Sequence, residues 1–317
     1  MKTICVIGAG RWGKNHIKTL HNLGTLGGIV ETHAPRLLEL KTEYPNIPLF
    51  NNVNDAIEHG FDGFIIATPA ETHFKLGKII LENKIPVLIE KPMTLKEETS
   101  AKLVEIAKKY STQLMVGHVL LFHPAIQKIK DLIDNGKIGD LQYIYSNRLN
   151  LGTVRKEENV FWSFAPHDLS IFEYLIGAEP IAIESTGGAF LQSHIHDTTM
   201  TTLSYPENIK THIFVSWLHP FKEHRMVIIG SKGMLSFEDS SKEKNILFYE
   251  KGVDWINGEP ITRNGATEII KYEKGMPLTN ELTYFIENMD KKISIADGTS
   301  GLNVVKILEK ATKSLID

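Results

Sequence analysis

The sequence predicts an N-terminal α/β domain with a doubly wound parallel sheet, followed by an α+β domain with a mostly antiparallel open sheet. Two observations predict this division. Up to about residue 122, short apolar segments alternate with helical segments, which is typical of a parallel sheet covered on both faces. Beyond that point, strand-like segments follow one another with few helices between them. We therefore place the domains at residues 1–122 and 123–317.

Composition narrows the class of protein. The 317 residues are 42% hydrophobic and 23% charged, with a net charge of −3. This balance is typical of a globular protein and offers no general attraction to nucleic acid or to an anionic membrane. Met1-Lys2 leads directly into a strand, no apolar run is long enough to span a bilayer, and Cys5 is the single cysteine. We therefore expect a cytoplasmic protein without a signal peptide, a membrane span or an internal disulfide.

The first strand, at residues 3–7, runs into a glycine-rich loop and then a helix predicted over Lys14–Leu23. In a dinucleotide-binding (Rossmann-type) fold, such glycines permit a tight turn, a close approach of the pyrophosphate and close packing of the helix on the sheet. The positive end of the helix then meets the phosphates. The predicted cofactor-binding residues of this loop are Gly8, Gly10, Arg11, Trp12 and Gly13.

The next strand, near residues 27–30, ends at Glu31. This position is about 20 residues beyond the glycines, where a carboxylate hydrogen-bonds the adenine ribose hydroxyls. A carboxylate there repels a 2′-phosphate. The sequence therefore predicts NAD rather than NADP as the cofactor.

The remaining strands of the first domain end on polar residues. Residues 62–67 lead into Thr68-Pro69, and His73 follows at a helix start, where it forms local structure or lines the cofactor. The apolar run 85–89 ends at Glu90-Lys91-Pro92. The predicted cofactor-binding residues of this edge are Thr68, Pro69, His73, Glu90 and Lys91. Ligands of open parallel sheets bind beyond the carboxyl ends of the strands, so Lys91 is a candidate to face a ligand site. Many strands also end on solvated charges, and this stretch alone fits both interpretations equally well.

Two further elements complete the first domain. A capping box at Thr94–Glu97 predicts a helix that runs to about Tyr110. The last strand, residues 114–117, brings His118 to the same edge as Lys91.

With these motifs in place, the chain resembles the Gfo/Idh/MocA oxidoreductases, the glucose–fructose oxidoreductase and inositol dehydrogenase family. The resemblance rests on the glycine loop, Thr68-Pro69, Glu90-Lys91-Pro92 and the helix that begins near Gly301. In that family the lysine bridges cofactor and substrate, and a histidine of the second domain acts as acid or base. The resemblance assigns these roles to Lys91 and His167, and it implies a homo-oligomer.

The second domain begins with a helix predicted over residues 124–135 and closed by Gly136. Strand-like segments then lie near residues 141–146, 181–185, 198–204, 210–217, 225–230 and 246–249.

His167 lies in a stretch where Pro166 suits the first turn of a helix and Gly177 suits its end. At a helix start the dipole disfavours imidazolium, which would keep His167 able to accept a proton. Many family members carry an aspartate four residues before this histidine, where this chain has Ser163. Asp168, next to His167, points about 100° away on a helix and does not obviously replace it.

The Trp-Ser-Phe-Ala-Pro-His-Asp stretch resembles the branch of the family that acts on nucleotide sugars, such as the UDP-N-acetylglucosamine 3-dehydrogenases. Such a substrate needs cations for its diphosphate and an aromatic surface for its rings. Each candidate also fits a structural role, and Trp217 suits the core equally well. The predicted substrate-binding residues are His118, Arg148, Arg155, Trp162, Ser163, Asp168, Trp217 and Lys222, with Arg225 as a further cation of the right type.

Alternatives remain at this stage. His194-Ile195-His196-Asp197 has the look of a metal cluster, but no cysteine or other ligand is near it in sequence, so we predict a loop or strand edge and no metal. The substrate could be a free sugar or polyol such as inositol. The protein could also sense NAD or a sugar without turning it over, a reading that Ser163 favours and the Lys91–His167 pair opposes.

Overall fold

A computed structural model describes residues 2–315. The chain forms two compact units, each held together by contacts among its own residues. The first unit comprises residues up to Phe122 together with Met276–Lys306, and the second comprises His123–Gly275 together with the chain from Ile307 onward. The sequence-based domains, 1–122 and 123–317, include Met1, Ile316 and Asp317, which lie outside the described residues. They also assign residues 276–306 to the second domain, whereas these residues pack with the first.

The first unit contains a parallel sheet with the strand order β3-β2-β1-β4-β5-β6. Its strands are β1 Ile4–Ile7, β2 Leu26–Val30, β3 Leu49–Phe50, β4 Gly63–Ile66, β5 Val87–Glu90 and β6 Leu114–Gly117. Its helices are α1 Arg11–Asn22, α2 Ala34–Glu43, α3 Val53–His59, α4 His73–Glu82, α5 Glu97–Tyr110 and α8 Pro277–Asn288. Because strand order reverses between β1 and β4, the glycine-rich loop after β1 lies at the switch point where such folds bind ligands.

Strands β1, β4, β5 and β6 are buried along their whole length, as expected of a sheet covered on both faces. One predicted boundary in this unit is wrong. Helix α5 begins at Glu97, with Lys96 at its N-cap, so Thr94 does not cap it. Instead the Thr94 hydroxyl pairs with those of Ser100 and Thr99, at 2.7 and 2.8 Å.

The second unit contains a sheet with the strand order β14-β13-β12-β11-β7-β10-β9-β8, in which only β7 and β10 pair in parallel. Its strands are β7 Leu141–Leu149, β8 Ala182–Gly188, β9 Thr198–Ser204, β10 Lys210–Ser216, β11 Glu223–Gly230, β12 Met234–Glu238, β13 Ile246–Ile256 and β14 Glu259–Ile270. Its helices are α6 Pro124–Asp134 and α7 Val160–Ile176, and the boundary between the units falls within α9, Gly298–Ser314. The predicted fold class, a doubly wound parallel sheet plus a mostly antiparallel one, is confirmed.

Helix α7 corrects the expectation for His167. The helix begins at Val160, where the Asn159 side chain accepts a hydrogen bond from the Trp162 N–H at 3.1 Å, and it ends at Gly177 with φ of 76°. Pro166 therefore lies inside the helix, and His167 lies well beyond its first turn. The dipole of a helix start does not act on His167, because that field is confined to the terminal turn.

Among the described residues, no helix is long and apolar enough to cross a membrane.

Candidate active site

The glycine-rich loop after β1 is shaped by two close approaches. Gly8 has φ of +91°, and a Cβ there would lie 2.7 Å from the Thr68 Cγ2. A Cβ on Gly13 would lie 1.9 Å from the Gly8 carbonyl oxygen, so only glycine lets α1 begin this close to the loop. Gly10, in contrast, has open space beside it. This is the arrangement that a dinucleotide pyrophosphate requires, with free backbone at the N-terminus of a helix.

Glu31 follows β2 and is buried against the same loop. Its Oε2 accepts the Ala9 N–H at 3.0 Å, its Oε1 accepts the His33 N–H at 2.9 Å, and the Arg36 guanidinium donates to Oε2 at 3.1 Å. Burial alone raises the pKa of Glu31, but these hydrogen bonds more than offset it and the pKa is lowered. Glu31 is therefore an anion next to the glycine loop. A carboxylate has about four acceptor sites, so these bonds leave capacity for ribose hydroxyls.

Two connections at the carboxyl edge of the sheet are tied together by His73. Its Nε2 lies 2.9 Å from the Thr68 carbonyl oxygen and its Nδ1 lies 3.0 Å from that of Pro92. Thr68 also pairs with the Thr72 hydroxyl at 2.6 Å, and Pro69 accepts a bond from that hydroxyl at 2.8 Å. His73 is buried, and its ring contacts the backbone of both loops, so in this structure it is a structural residue that holds the two loops together. Arg11 and Trp12, at the start of α1, are exposed.

The end of β5 carries a buried carboxylate–histidine contact next to Lys91. The Glu90 Oε1 lies 2.7 Å from His16 Nε2, and Oε2 accepts the Lys91 backbone N–H at 3.1 Å. Burial raises the pKa of Glu90, but the hydrogen bond to His16 and the charges of His16 and Lys91 outweigh it, so the pKa is lowered. Lys91 itself is half-buried. The edge of the sheet thus holds an anion directly before the lysine.

His118, after β6, is buried, and its two ring nitrogens make no hydrogen bond within the described residues. Burial lowers its pKa to about 4, with a further reduction from the charge of Lys91 and an opposing effect from Glu90. His118 is therefore a neutral imidazole at neutral pH.

In the second unit, two predicted substrate residues bind each other. Arg148 of β7 donates from Nε and Nη2 to the Asp168 carboxylate of α7, at 2.7 and 3.1 Å, and both side chains are buried. Burial lowers the pKa of Arg148, but the charge of Asp168 outweighs it and the pKa is raised. Arg148 Nη1 also lies 3.3 Å from His224 Nδ1. Asp168 therefore holds α7 against the sheet, and its carboxylate is engaged by a permanent cation.

The other predicted residues of this unit are dispersed. Ser163 and His167 lie four residues apart on α7, which brings them to one face of the helix, and both are half-buried. The Trp162 indole N–H donates to the Thr312 hydroxyl at 2.9 Å. Arg155 and Lys222 are exposed on loops.

Two details concern stacking and metals. Trp217 is completely buried, so in this structure it is a core residue with no face for stacking. The His194–Asp197 stretch is a loop, in which Asp197 accepts two backbone N–H groups at 2.7 Å. Across residues 2–315, no group of three or more His, Cys, Asp or Glu side chains is placed to hold a metal ion.

Sequence reasoning overlooked two buried polar residues of the first unit, His16 and Glu281. His16 shares the buried face of α1 with Gly13, Ile17 and Leu20. Glu281 is buried on α8 next to Leu282. In both helices, a titratable side chain on an otherwise apolar face was the signal that could have identified them.

Comparisons with known proteins agree with this architecture. A family model described as "Oxidoreductase family, NAD-binding Rossmann fold" matches residues 2–118, and one described as "GFO/IDH/MocA C-terminal domain" matches residues 126–236. The UDP-N-acetylglucosamine 3-dehydrogenase of Acidithiobacillus ferrooxidans is 26% identical over 95% of this chain and 93% of its own length. An inositol 2-dehydrogenase of Rhizobium meliloti is 22% identical over 98% and 96% of the two chains.

Solved structures show the same fold. The A. ferrooxidans enzyme superposes with a TM-score of 0.86 at 24% identity, covering 99% of this chain and 97% of its own. The WlbA dehydrogenase of Bordetella pertussis, in complex with NADH and UDP-GlcNAcA, superposes with a TM-score of 0.79 at 19% identity, covering 99% and 96%.

Proposed function

Because this chain belongs to the Gfo/Idh/MocA family of NAD-binding oxidoreductases, we propose that it oxidises a secondary alcohol of a nucleotide sugar, at C3 of a compound such as UDP-N-acetylglucosamine. The observation that carries the proposal lies at the carboxyl edge of the first unit's sheet. There Glu90 ends β5, Lys91 follows it, and β1 of the same sheet leads into the glycine-rich loop. The relative that matches 95% of the chain supports the choice of substrate.

The residues proposed to hold the cofactor are those that fit it: Gly8, Gly10 and Gly13 at the pyrophosphate and Glu31 at the adenine ribose. NAD supplies the hydride acceptor when bound. Since Glu31 is ionised beside the loop, it opposes a 2′-phosphate, and we propose NAD over NADP.

Lys91 is proposed to take the proton of the substrate hydroxyl as the carbonyl forms. The amine must be neutral to do so, and desolvation together with a nearby positive charge favours that form. His167 is proposed as the second acid–base group. It is half-buried in the interior of α7, away from the helix termini.

A substrate panel tests the proposal. The protein, NAD and single candidates from three classes (nucleotide sugars, free sugars, polyols) are mixed, and reduced nicotinamide is followed by absorbance. We expect the highest kcat/KM with UDP-N-acetylglucosamine. Turnover confined to inositol would favour the second candidate, a polyol dehydrogenase, which the match to the R. meliloti inositol 2-dehydrogenase supports.

Binding of NAD without turnover of any candidate would favour a sensor. The family resemblance also leads us to propose a homo-oligomer, which light scattering on the purified protein would test.

A further inference from the structure

Glu281 of α8 is a buried carboxyl group that the proposed reaction does not use. Its side chain has no exposed surface, and neither carboxyl oxygen has a hydrogen-bond partner among the described residues. An ionised carboxylate in such a place is strongly disfavoured, whereas a protonated acid is disfavoured far less.

Titratable groups stand on or next to the elements that pack against α8 in the first unit. Helix α8 packs against α1, which carries His16, and against the 3-10 helix Val119–Phe122, which follows His118. The Glu90 carboxylate acts on Glu281 electrostatically. The same carboxylate lies close to Gly117 of β6, since a Cβ built on that glycine would lie 3.1 Å from the Glu90 Oε2. Lys91 is the remaining charged neighbour of Glu90. Lys2 bonds the far end of α8, at the Ile286 carbonyl oxygen.

Two carboxyl groups in one buried region do not both ionise readily. Of the two, Glu90 is the carboxyl group that ionises more readily. It accepts a hydrogen bond from the Lys91 backbone N–H and contacts His16, and its pKa is lowered. Glu281 has no such partners. Burial, and then the charge of Glu90, raise the pKa of Glu281 well above its ordinary value. Neutral His118 supplies no charge to offset this.

We propose that Glu281 is a positioning residue that stays protonated beside ionised Glu90, so that Lys91 faces one buried negative charge and not two. The link to Lys91 rests on the proposed function; the protonated state of Glu281 does not. A second negative charge would stabilise the Lys91 ammonium and withhold the base.

The protonation state is tested by unfolding in urea as a function of pH, using wild type, Glu281→Gln and the control Glu287→Gln, which removes an exposed carboxylate from the same helix. A group whose pKa is raised by folding stabilises the protein below its unfolded pKa, and that stabilisation is lost as the pH rises towards the folded pKa. Above about pH 4.5, the free energy of unfolding of wild type should therefore fall relative to that of Glu281→Gln. The slope of this difference against pH should correspond to about one proton released on unfolding. Glu287→Gln should run parallel to wild type.

Parallel curves for wild type and Glu281→Gln would overturn the protonated state. If Glu281→Gln does not fold, infrared spectroscopy of wild type with labelled glutamate provides the test. A carbonyl band of a protonated carboxylic acid at neutral pH supports the proposal, and its absence overturns it.

The link to Lys91 is tested by the pH profile of kcat/KM. Because a protonated Glu281 carries no charge, Glu281→Gln should leave the acidic limb where wild type and Glu287→Gln have it, whereas loss of the charged Glu90 should move that limb to lower pH. An acidic limb that moves to lower pH by about one unit in Glu281→Gln would mean that Lys91 faces two negative charges in wild type, and would overturn the proposal. Absence of turnover in wild type would instead refute the proposed function, while the unfolding curves would still decide the protonation state of Glu281.

Discussion

Each unit has a buried carboxylate directly beside its proposed acid–base residue, but the two carboxylates have different partners. Glu90, before Lys91, pairs with His16, whose charge depends on protonation, and it accepts the Lys91 N–H. Asp168, after His167, is bound twice by the guanidinium of Arg148. Arginine stays charged at any working pH, so Asp168 is neutralised permanently and contributes to structure. Neither hydrogen-bond partner of Glu90 is a permanent cation, so the charge of Glu90 can act on Lys91.

The largest effect expected is on turnover. Lys91→Ala removes the proposed base, and we expect kcat to fall by about 10²- to 10⁴-fold, with NAD binding retained. His167→Ala should cause a loss within the same range. Steady-state kinetics and NAD titration check both variants, with Lys75→Ala, an exposed lysine of α4, as the control. Near-native kcat in both variants would remove the acid–base assignment.

The next largest effect concerns the stability of the second unit. Asp168→Asn leaves the Arg148 guanidinium buried without its anion, and we expect a loss of about 3–5 kcal/mol in the free energy of unfolding. The control is Asp254→Asn, which removes the negative charge from the partly exposed 2.6 Å pair with Arg263 and should cost about 1 kcal/mol or less. Unfolding in guanidinium chloride measures the loss of stability in both variants. Equal losses would mean that burial does not distinguish these pairs.

Glu31 is a third buried carboxylate, and it sharpens the comparison because its cation, Arg36, is more than one-third exposed. In Glu31→Ala, NAD loses hydrogen bonds to a charged group and Arg36 becomes available to a 2′-phosphate. We expect NAD affinity to fall by about 10- to 100-fold and the preference for NAD over NADP to shrink. Titration with both dinucleotides measures this. An unchanged ratio would contradict the role of Glu31.

The smallest effect is expected at Glu90. Glu90→Gln removes a negative charge beside Lys91, which destabilises the ammonium, so the acidic limb of the kcat/KM profile should move to lower pH by about one unit. Because the pKa of Glu90 is lowered in the folded protein, its stabilisation is present above the ordinary carboxyl pKa and is lost as the pH falls through the folded pKa. Glu90→Gln should lack that acid-dependent loss. An acidic limb that stays in place would mean that Glu90 does not influence Lys91.

Local pattern predicted much of the first unit. The β1–glycine–helix sequence, the apolar strands and the polar residues at their carboxyl ends follow from period and turn chemistry, and the fold class followed from them. Residues 276–306, which the sequence-based division assigns to the second domain, pack with the first unit. An amphipathic helix such as α8 shows which of its faces is buried but not what it packs against.

The second unit was harder to predict. Pro166 suits a first turn, but capping by Asn159 starts α7 earlier. Strand β14 was missed because most of its residues are exposed, which leaves little apolar alternation to detect. Trp217 illustrates the limit for the candidate site, since a strand aromatic fits the core as well as a ligand surface. The Arg148–Asp168 pair joins residues 20 apart, a partnership that no local pattern encodes.

Rapid mixing of the NAD-loaded protein with UDP-N-acetylglucosamine, followed by nicotinamide absorbance within a single turnover, tests the central claim most directly. We predict that wild type reduces the bound NAD, and that Lys91→Ala, loaded to the same extent, does so at least about 100-fold more slowly. Equal rates in the two proteins would contradict the account.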